Sequence, residues 1–407
     1  VSDFLAGIRE VEGEMGTSGQ DASLSRRDFL RMAATLSGLT ALSAVIEACS
    51  QAGFSPTINT TPQISQMGSP SPIMVEEPSP SAALEQVETQ ELSNSPSLTP
   101  TDTPGLGVSG VAFVKTEDRA EGVRKAIELL GINPVEGKRV FLKPNFNSSD
   151  PAPGSTHPDL LRSLVLLLRE MGAEAITVGD RSGMGDTRRV MEAIGVFELA
   201  QEIGFETLVF DELTADDWVM IEPPGGHWKM GFPFARPCLE AEALVQLCCL
   251  KTHRYGGHFT MSLKNSVGMV AKRNLRHDHN FMDELHSSGH QRRMIAEINT
   301  AYTPDVVVLD AVEAFISGGP AQGKRVAPQV IVAGRDRVAI DAVGVALLRH
   351  HGCKTEVSKG KVFHQEQIAR AVELGLGVDG PDKIEFLTGD TESAAYTEQI
   401  QDILLAG

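Results

Sequence analysis

From about Val108 onward, short apolar runs of strand length alternate with longer runs of helical spacing, and few folds accommodate that rhythm. Strands are expected at Val111–Val114, Arg139–Leu142, Glu174–Val178, Glu206–Phe210, Ala243–Leu250, Asp305–Leu309, Gln329–Ala333 and Ile384–Leu387. Helices are expected between them at Arg119–Leu130, Asp159–Met171, Thr187–Ile194, Val196–Ile203, Met261–Val270, Gln291–Tyr302, Asp336–His350 and Lys361–Leu374. Strand, helix, strand in this order predicts an α/β domain over residues 108–395, with a mostly parallel sheet flanked by helices. Residues 212–240 break the rhythm, with Pro223-Pro224-Gly225-Gly226 reading as a turn, and predict a small β insertion over the site. Residues 396–407 are expected to form a C-terminal tail.

The expected strands end in chemistry: Lys143 and Asn145, Asp180, Lys251 and His253, Asp310. In a parallel sheet such ends lie on one side, where α/β proteins bind their ligands. An aspartate after a strand is often only a helix cap, but several ends of mixed sign point to a pocket. Lys143, Lys251 and Lys264 are cations suited to a carboxylate or phosphate, and burial could instead turn a lysine into a base. Asn145, His157 and Asn265 join them as substrate-orienting candidates; His253, with Lys251 and Asp180, is the catalytic candidate. Gly256-Gly257 is read as a lead-in to the Met261 helix, where backbone N–H groups approach an anion. His258, His277, His279 and Asp310 are candidate ligands for a divalent metal, His277 and His279 sharing one side of an extended chain. Asp336 is read as an N-cap and Asp341 as a site or packing carboxylate.

The N-terminal quarter is of another kind. Arg26-Arg27 precede an apolar run from Met32 to Ile46, too short for a comfortable membrane span, and residues 1–49 resemble a twin-arginine export signal. Cys49 stands where a lipoprotein signal places its lipidated cysteine, although Glu47 occupies a position where a small uncharged residue is expected. Residues 50–107 hold nine of the 22 prolines and six acids without one Lys or Arg, the composition of a disordered, solvated linker. The expected partners are therefore the export machinery and a membrane surface reached through an N-terminal tether, in an extracytoplasmic, periplasmic setting. A formal charge of −18 with only 5% aromatic residues excludes nucleic acid as an expected partner. Five cysteines without CxxC spacing exclude the common zinc and iron–sulfur ligand runs.

The motifs KPN (143–145), THP (156–158), GD (179–180), KTH (251–253), LKN with Gly268 (263–268), GGP with Gly323, and AGRDRVAID (333–341) occur in the order seen in one family. Over roughly residues 110–350 the chain resembles the domain-of-unknown-function family 362, whose twin-arginine-exported members are common in bacteria. Some members carry four-cysteine iron–sulfur modules, whose cysteines this chain lacks. In overall α/β plan alone the chain is also similar to the lactate racemase family with its nickel-pincer cofactor, but no catalytic motif of that family matches residue by residue.

These observations lead to the expectation of an exported enzyme, an isomerase or hydrolase, acting on a small anionic ligand by proton transfer or metal-assisted chemistry. The rivals are a solute-binding lipoprotein and a metal- or cofactor-handling protein.

Overall fold

The computed structural model describes residues 107–273 and 279–406. The strands are β1 (Ser109–Lys115), β2 (Arg139–Lys143), β3 (Ala175–Asp180), β4 (Glu206–Val209), β5 (Trp218–Ile221), β6 (Phe232–Ala235), β7 (Ala243–His253), β8 (His258–Thr260), β9 (Val306–Gly318), β10 (Gly323–Val326), β11 (Val330–Gly334) and β12 (Ile384–Leu387). The helices are α1 (Arg119–Leu130), α2 (Pro158–Glu170), α3 (Thr187–Ile194), α4 (Val196–Ile203), α5 (Arg236–Leu239), α6 (Ser262–Asn265), α7 (Phe281–Ser287), α8 (Gln291–Ile298), α9 (Arg337–His350), α10 (Glu366–Glu373) and α11 (Thr391–Ala406).

Ten strands form one sheet in the order β12-β1-β11-β9-β7-β2-β3-β4, with β8 added beside β7 and β10 beside β9. The run β9-β7-β2-β3-β4 is parallel throughout, and β12 is parallel to β1; β11 is antiparallel to both its neighbours. The expected mostly parallel sheet flanked by helices is thus the observed one. The insertion is also present: β5 and β6 form a separate two-stranded ribbon.

Alternation along the strands divides the core between two faces. Phe113, Leu250, Leu309 and Val332 pack on one face, around α9 and α11. Val114, Leu247, Val308 and Ile331 pack on the other, with Leu160, Leu164 and Leu168 of α2. A third cluster joins the ribbon to the sheet edge through Phe141, Phe210, Phe232, Phe234 and Phe281. Helix α9 is buried at every position from Arg337 to Leu348, as a helix embedded in the core must be. Its N-cap is Asp336, which accepts from the amides of Val338 (2.8 Å) and Ala339 (3.0 Å), and also from Val378 (2.7 Å).

Several boundaries differ from the sequence expectation. Strand β7 does not stop at Leu250 but carries Lys251, Thr252 and His253 within it, because β8 turns back to pair Lys251 with Thr260 and His253 with His258. Gly256 and Gly257 therefore form the hairpin turn, Gly256 with φ +81°, and do not lead a helix. The expected Met261–Val270 helix is one turn, α6, followed by a 3₁₀ turn at Ser266–Met269. Strand β9 runs through Asp310 to Gly318 because Ala311–Ile316 stays apolar but for Glu313, so Asp310 sits mid-strand. Residues from 396, expected as a tail, belong to α11, which buries Tyr396, Ile400 and Leu404.

Asp341, fully buried on α9, accepts the backbone N–H groups of Ser262 (2.8 Å) and Leu263 (3.1 Å), the first residues of α6. It is a packing carboxylate that fixes the turn carrying Lys264 and Asn265. Asp341→Ala leaves both amides buried without an acceptor, and a loss of about 2–4 kcal/mol is expected in urea unfolding. A loss below about 1 kcal/mol would show that the turn is held by other contacts.

Candidate functional site

Strands β7, β2 and β3 lie side by side, and their carboxyl ends deliver His253, Lys143 and Asp180 to one cavity of about 320 Å³. Asn145 and Asn147, in the loop after β2, and Lys264 and Asn265 of α6 complete the polar wall. The remaining boundary comes from the hairpin, through Thr260 and Tyr255, and from α7, through Met282 and His286.

An ion pair lies at its base. Lys143 Nζ is 2.8 Å from Asp180 Oδ1 and donates to Asn265 Oδ1 at 3.2 Å and to the Pro144 carbonyl. Asp180 accepts two amides besides, from Phe146 (2.7 Å) and Arg181 (2.6 Å). Burial pushes the Asp180 carboxyl above the usual carboxylate range, against the Lys143 ammonium and these N–H donors. Gly268 packs against the pair so closely that a Cβ there would stand 2.9 Å from Lys143 Nζ. Arg181 is buried beside it, with Nε donating to the Val270 carbonyl (2.7 Å) and Nη2 to that of Val267 and to Met282 Sδ (3.2 Å), while the charges of Asp211 and Asp180 also support its guanidinium.

Lys264 differs from the other lysines. It has no hydrogen bond or ion pair within the described residues, and its ammonium is brought down to about 7 by burial first and then by the charges of Lys251 and Arg181. His253 is its neighbour: a Cβ at Gly257 would lie 2.8 Å from Lys264 Cε and 3.1 Å from His253 Nδ1. Burial, together with Lys264 and Lys251, depresses the His253 imidazolium far below the ordinary histidine range, so the ring is neutral. Its Nδ1 is buried without a hydrogen-bond partner, as are Asn145 Oδ1, Asn147 Nδ2 and Thr260 Oγ1. All four belong to side chains lining the same cavity.

The other expected site residues lie elsewhere. Lys251 is fully buried and donates to the Gly154 carbonyl; it does not line the cavity, although its charge acts on His253 and Lys264. His157 caps α2, its Nδ1 accepting the Asp159 amide at 3.2 Å, and is no part of the cavity wall. Asp310 pairs with Arg119 at 2.9 Å and accepts the Val312 amide. His279 meets Glu284 at 2.6 Å, and His258 is half-buried at the start of β8. His277 and Cys49 lie outside the described residues. Within the described residues no three His, Cys, Asp or Glu side chains are placed to share an ion, so the expected metal set does not assemble from His258, His279 and Asp310. Cys248 and Cys249 are buried, and burial raises the Cys249 thiol to about 11, the setting of inert core thiols.

Asn147, Arg181 and Thr260 were not singled out from the sequence. Asn147 repeats Asn145 at a spacing of two, which in extended chain puts both on one side. Arg181 follows the GD pair directly. Thr260 had no signal, since its position depends on the β7–β8 hairpin.

If the Lys143–Asp180 pair is held as described, Lys143→Met should cost about 3–5 kcal/mol by leaving a buried carboxylate unpaired. Adding Asp180→Asn should return much of that loss, read as a coupling energy in a urea double-mutant cycle.

The family model described as Domain of unknown function (DUF362) matches residues 140–346. Among solved structures, the chain is similar to the lactate racemase apoprotein from Thermoanaerobacterium thermosaccharolyticum, at 13% identity and a TM-score of 0.35, over 74% of this chain and 87% of that one. No curated protein matches.

Proposed function

The chain belongs to the DUF362 family, and from its cavity we propose an enzyme that binds a small organic anion and moves a proton on it. One observation supports this above the others: four buried polar atoms without partners, on residues facing one space between strand ends. Buried polar atoms in folded proteins are mostly paired; five others among the described residues also lack a partner, but these four share one space that a ligand would fill. Donors and acceptors are both among them, which suits a polar molecule.

The sign of the ligand follows from the charges. The wall holds Lys143, Lys264 and Arg181 against a single carboxylate, Asp180, which already has Lys143 and two amides. A bound carboxylate would balance the excess, and at about 320 Å³ the space suits a small molecule. The reaction class rests on His253. Burial and the neighbouring cations make this imidazole a weak base, but a bound carboxylate would offset those cations, so that its free nitrogen can take a proton from the adjacent carbon while Lys143 and Lys264 stabilise the developing charge. Solvent deuterium should therefore exchange into the α-carbon of bound C2–C4 carboxylates, followed by NMR in D2O. His253→Gln should abolish exchange while leaving the ligand-induced rise in thermal midpoint. Retention of a ligand without exchange in the unaltered protein would instead identify a binding protein.

For the N-terminal region we propose export by the twin-arginine route, with a tether at Cys49. The pair Arg26-Arg27 before an apolar run supports the first, and a cysteine followed by a proline-rich spacer the second. Replacing Arg26 and Arg27 by Lys together should leave unprocessed precursor in the cytoplasmic fraction of expressing bacteria. Normal export of that variant would remove the proposal.

A further inference from the structure

Lys264 stands apart among the cations here, half-buried where Lys143, Lys251 and Arg181 are buried. Lys143 is tied to Asp180, Asn265 and the Pro144 carbonyl; Lys251 is tied to Gly154 and does not line the cavity; Arg181 is tied to backbone carbonyls. Lys264 alone lines the cavity with no partner within the described residues, on a turn fixed by Asp341 and beside the free nitrogen of His253. A lysine needed only for charge gains from an acceptor, and here the acceptors have been assigned to its neighbours. What remains is an amine with no protein partner among the described residues, open to a molecule in the cavity. Desolvation beside another cation is how an amine becomes a nucleophile near neutral pH.

We infer that Lys264 is a covalent catalyst, forming an imine with the carbonyl carbon of a short oxo acid held in this cavity. The inference rests on the anion-binding reading above and adds to it the substrate class and the bond formed. The neutral amine attacks the carbonyl carbon, and the carbonyl oxygen becomes the hydroxyl of a carbinolamine by taking one amine proton through His253. That hydroxyl takes the second amine proton and leaves as water, giving the imine. No oxidant or reductant is consumed. Once protonated, the imine nitrogen draws electrons from the adjacent carbon, and His253 is placed to remove a proton there. The substrate carboxylate would meet Lys143 or the Asn147 amide, since Lys264 is then committed to the carbonyl.

The groups facing Lys264 set the working range. His253 and His286 are lowered towards the neutral form, chiefly by burial, while Lys251 and Arg181 repel a proton at Lys264. The paired Asp180 is the one carboxylate on the wall. The amine should thus be free and reactive above about pH 7, where ordinary surface lysines remain protonated.

The test is reductive trapping on the full-length chain, with glyoxylate or pyruvate as the carbonyl probe and cyanoborohydride as the reductant. Glycolate, which has no carbonyl, is the control. A single reduced adduct is expected in the intact mass, mapping to Lys264, with yield rising through about pH 7. It should be absent with glycolate and in Lys264→Arg, whose thermal midpoint should stay close to that of the unaltered chain. A second variant, Lys264→Met, guards against misfolding in the first. If pyruvate raises the thermal midpoint but no adduct forms at Lys264, or labelling is spread over many lysines, the covalent step is overturned while the anion site stands. If neither probe shifts the midpoint nor labels Lys264, both readings fall.

Discussion

The ion pair between Lys143 and Asp180 is the contact on which the site depends. It joins the ends of two adjacent parallel strands, and each partner recruits further structure. Asp180 fixes the loops after both strands by accepting the amides of Phe146 and Arg181, while Lys143 reaches α6 through Asn265. Asn265 returns a bond to the Lys143 carbonyl at 3.3 Å, so strand and turn are tied in both directions. A buried pair of this kind adds little net stability, because desolvation offsets most of the attraction. Its value here is geometric: it sets where the neighbouring polar groups point.

The turn that carries Lys264 is constrained from two sides. Asp341 holds its start from the central helix, and Asn299 reaches its interior, donating to the Leu263 carbonyl (3.0 Å) and to Ser266 Oγ (3.1 Å). Both anchors are buried. The backbone under Lys264 and Asn265 is thereby fixed by the core, while the Lys264 amine is left unbound. Rigid support beneath a free functional group is the arrangement that pre-organised sites require.

Much of this was legible in the sequence, for a definite reason. Parallel strands read as continuous apolar runs, and the first polar residues after them mark the ligand-binding edge, so Lys143, Asp180 and His253 could be placed together before any geometry was known. The rule misled where the run did not end at the polar residue. Lys251 and Asp310 are strand residues with further strand after them, and their side chains find partners away from the cavity. His157 shows another limit, since a histidine before a helix-starting proline serves as well for a cap as for a ligand. The histidine-rich stretch suggested a metal from spacing alone, but spacing gives no information about which neighbours come from distant segments. His279 is met by Glu284 and His227 by Glu297, two carboxylates on helices that also hold the ribbon loop through the amides of Lys229 and His227. Those histidines belong to the packing of the insertion.

The unpaired atoms give the final step. Each buried polar group without a partner costs about 1–3 kcal/mol against a paired one, and four such atoms in one wall are a sizeable fraction of a domain's net stability. A chain selected for stability alone could have placed apolar side chains at Asn145, Thr260 and His253, all nearly buried at strand ends beside aliphatic core. It has instead kept a donor, acceptors and an imidazole around a space next to a half-buried lysine without a partner among the described residues. Of the nine buried side-chain atoms without a partner among the described residues, four face this one space, whereas the carboxylates of Asp336 and Asp341 and the amide of Asn299 are satisfied. Several such costs gathered on one wall are what a site leaves behind when a ligand supplies the missing partners.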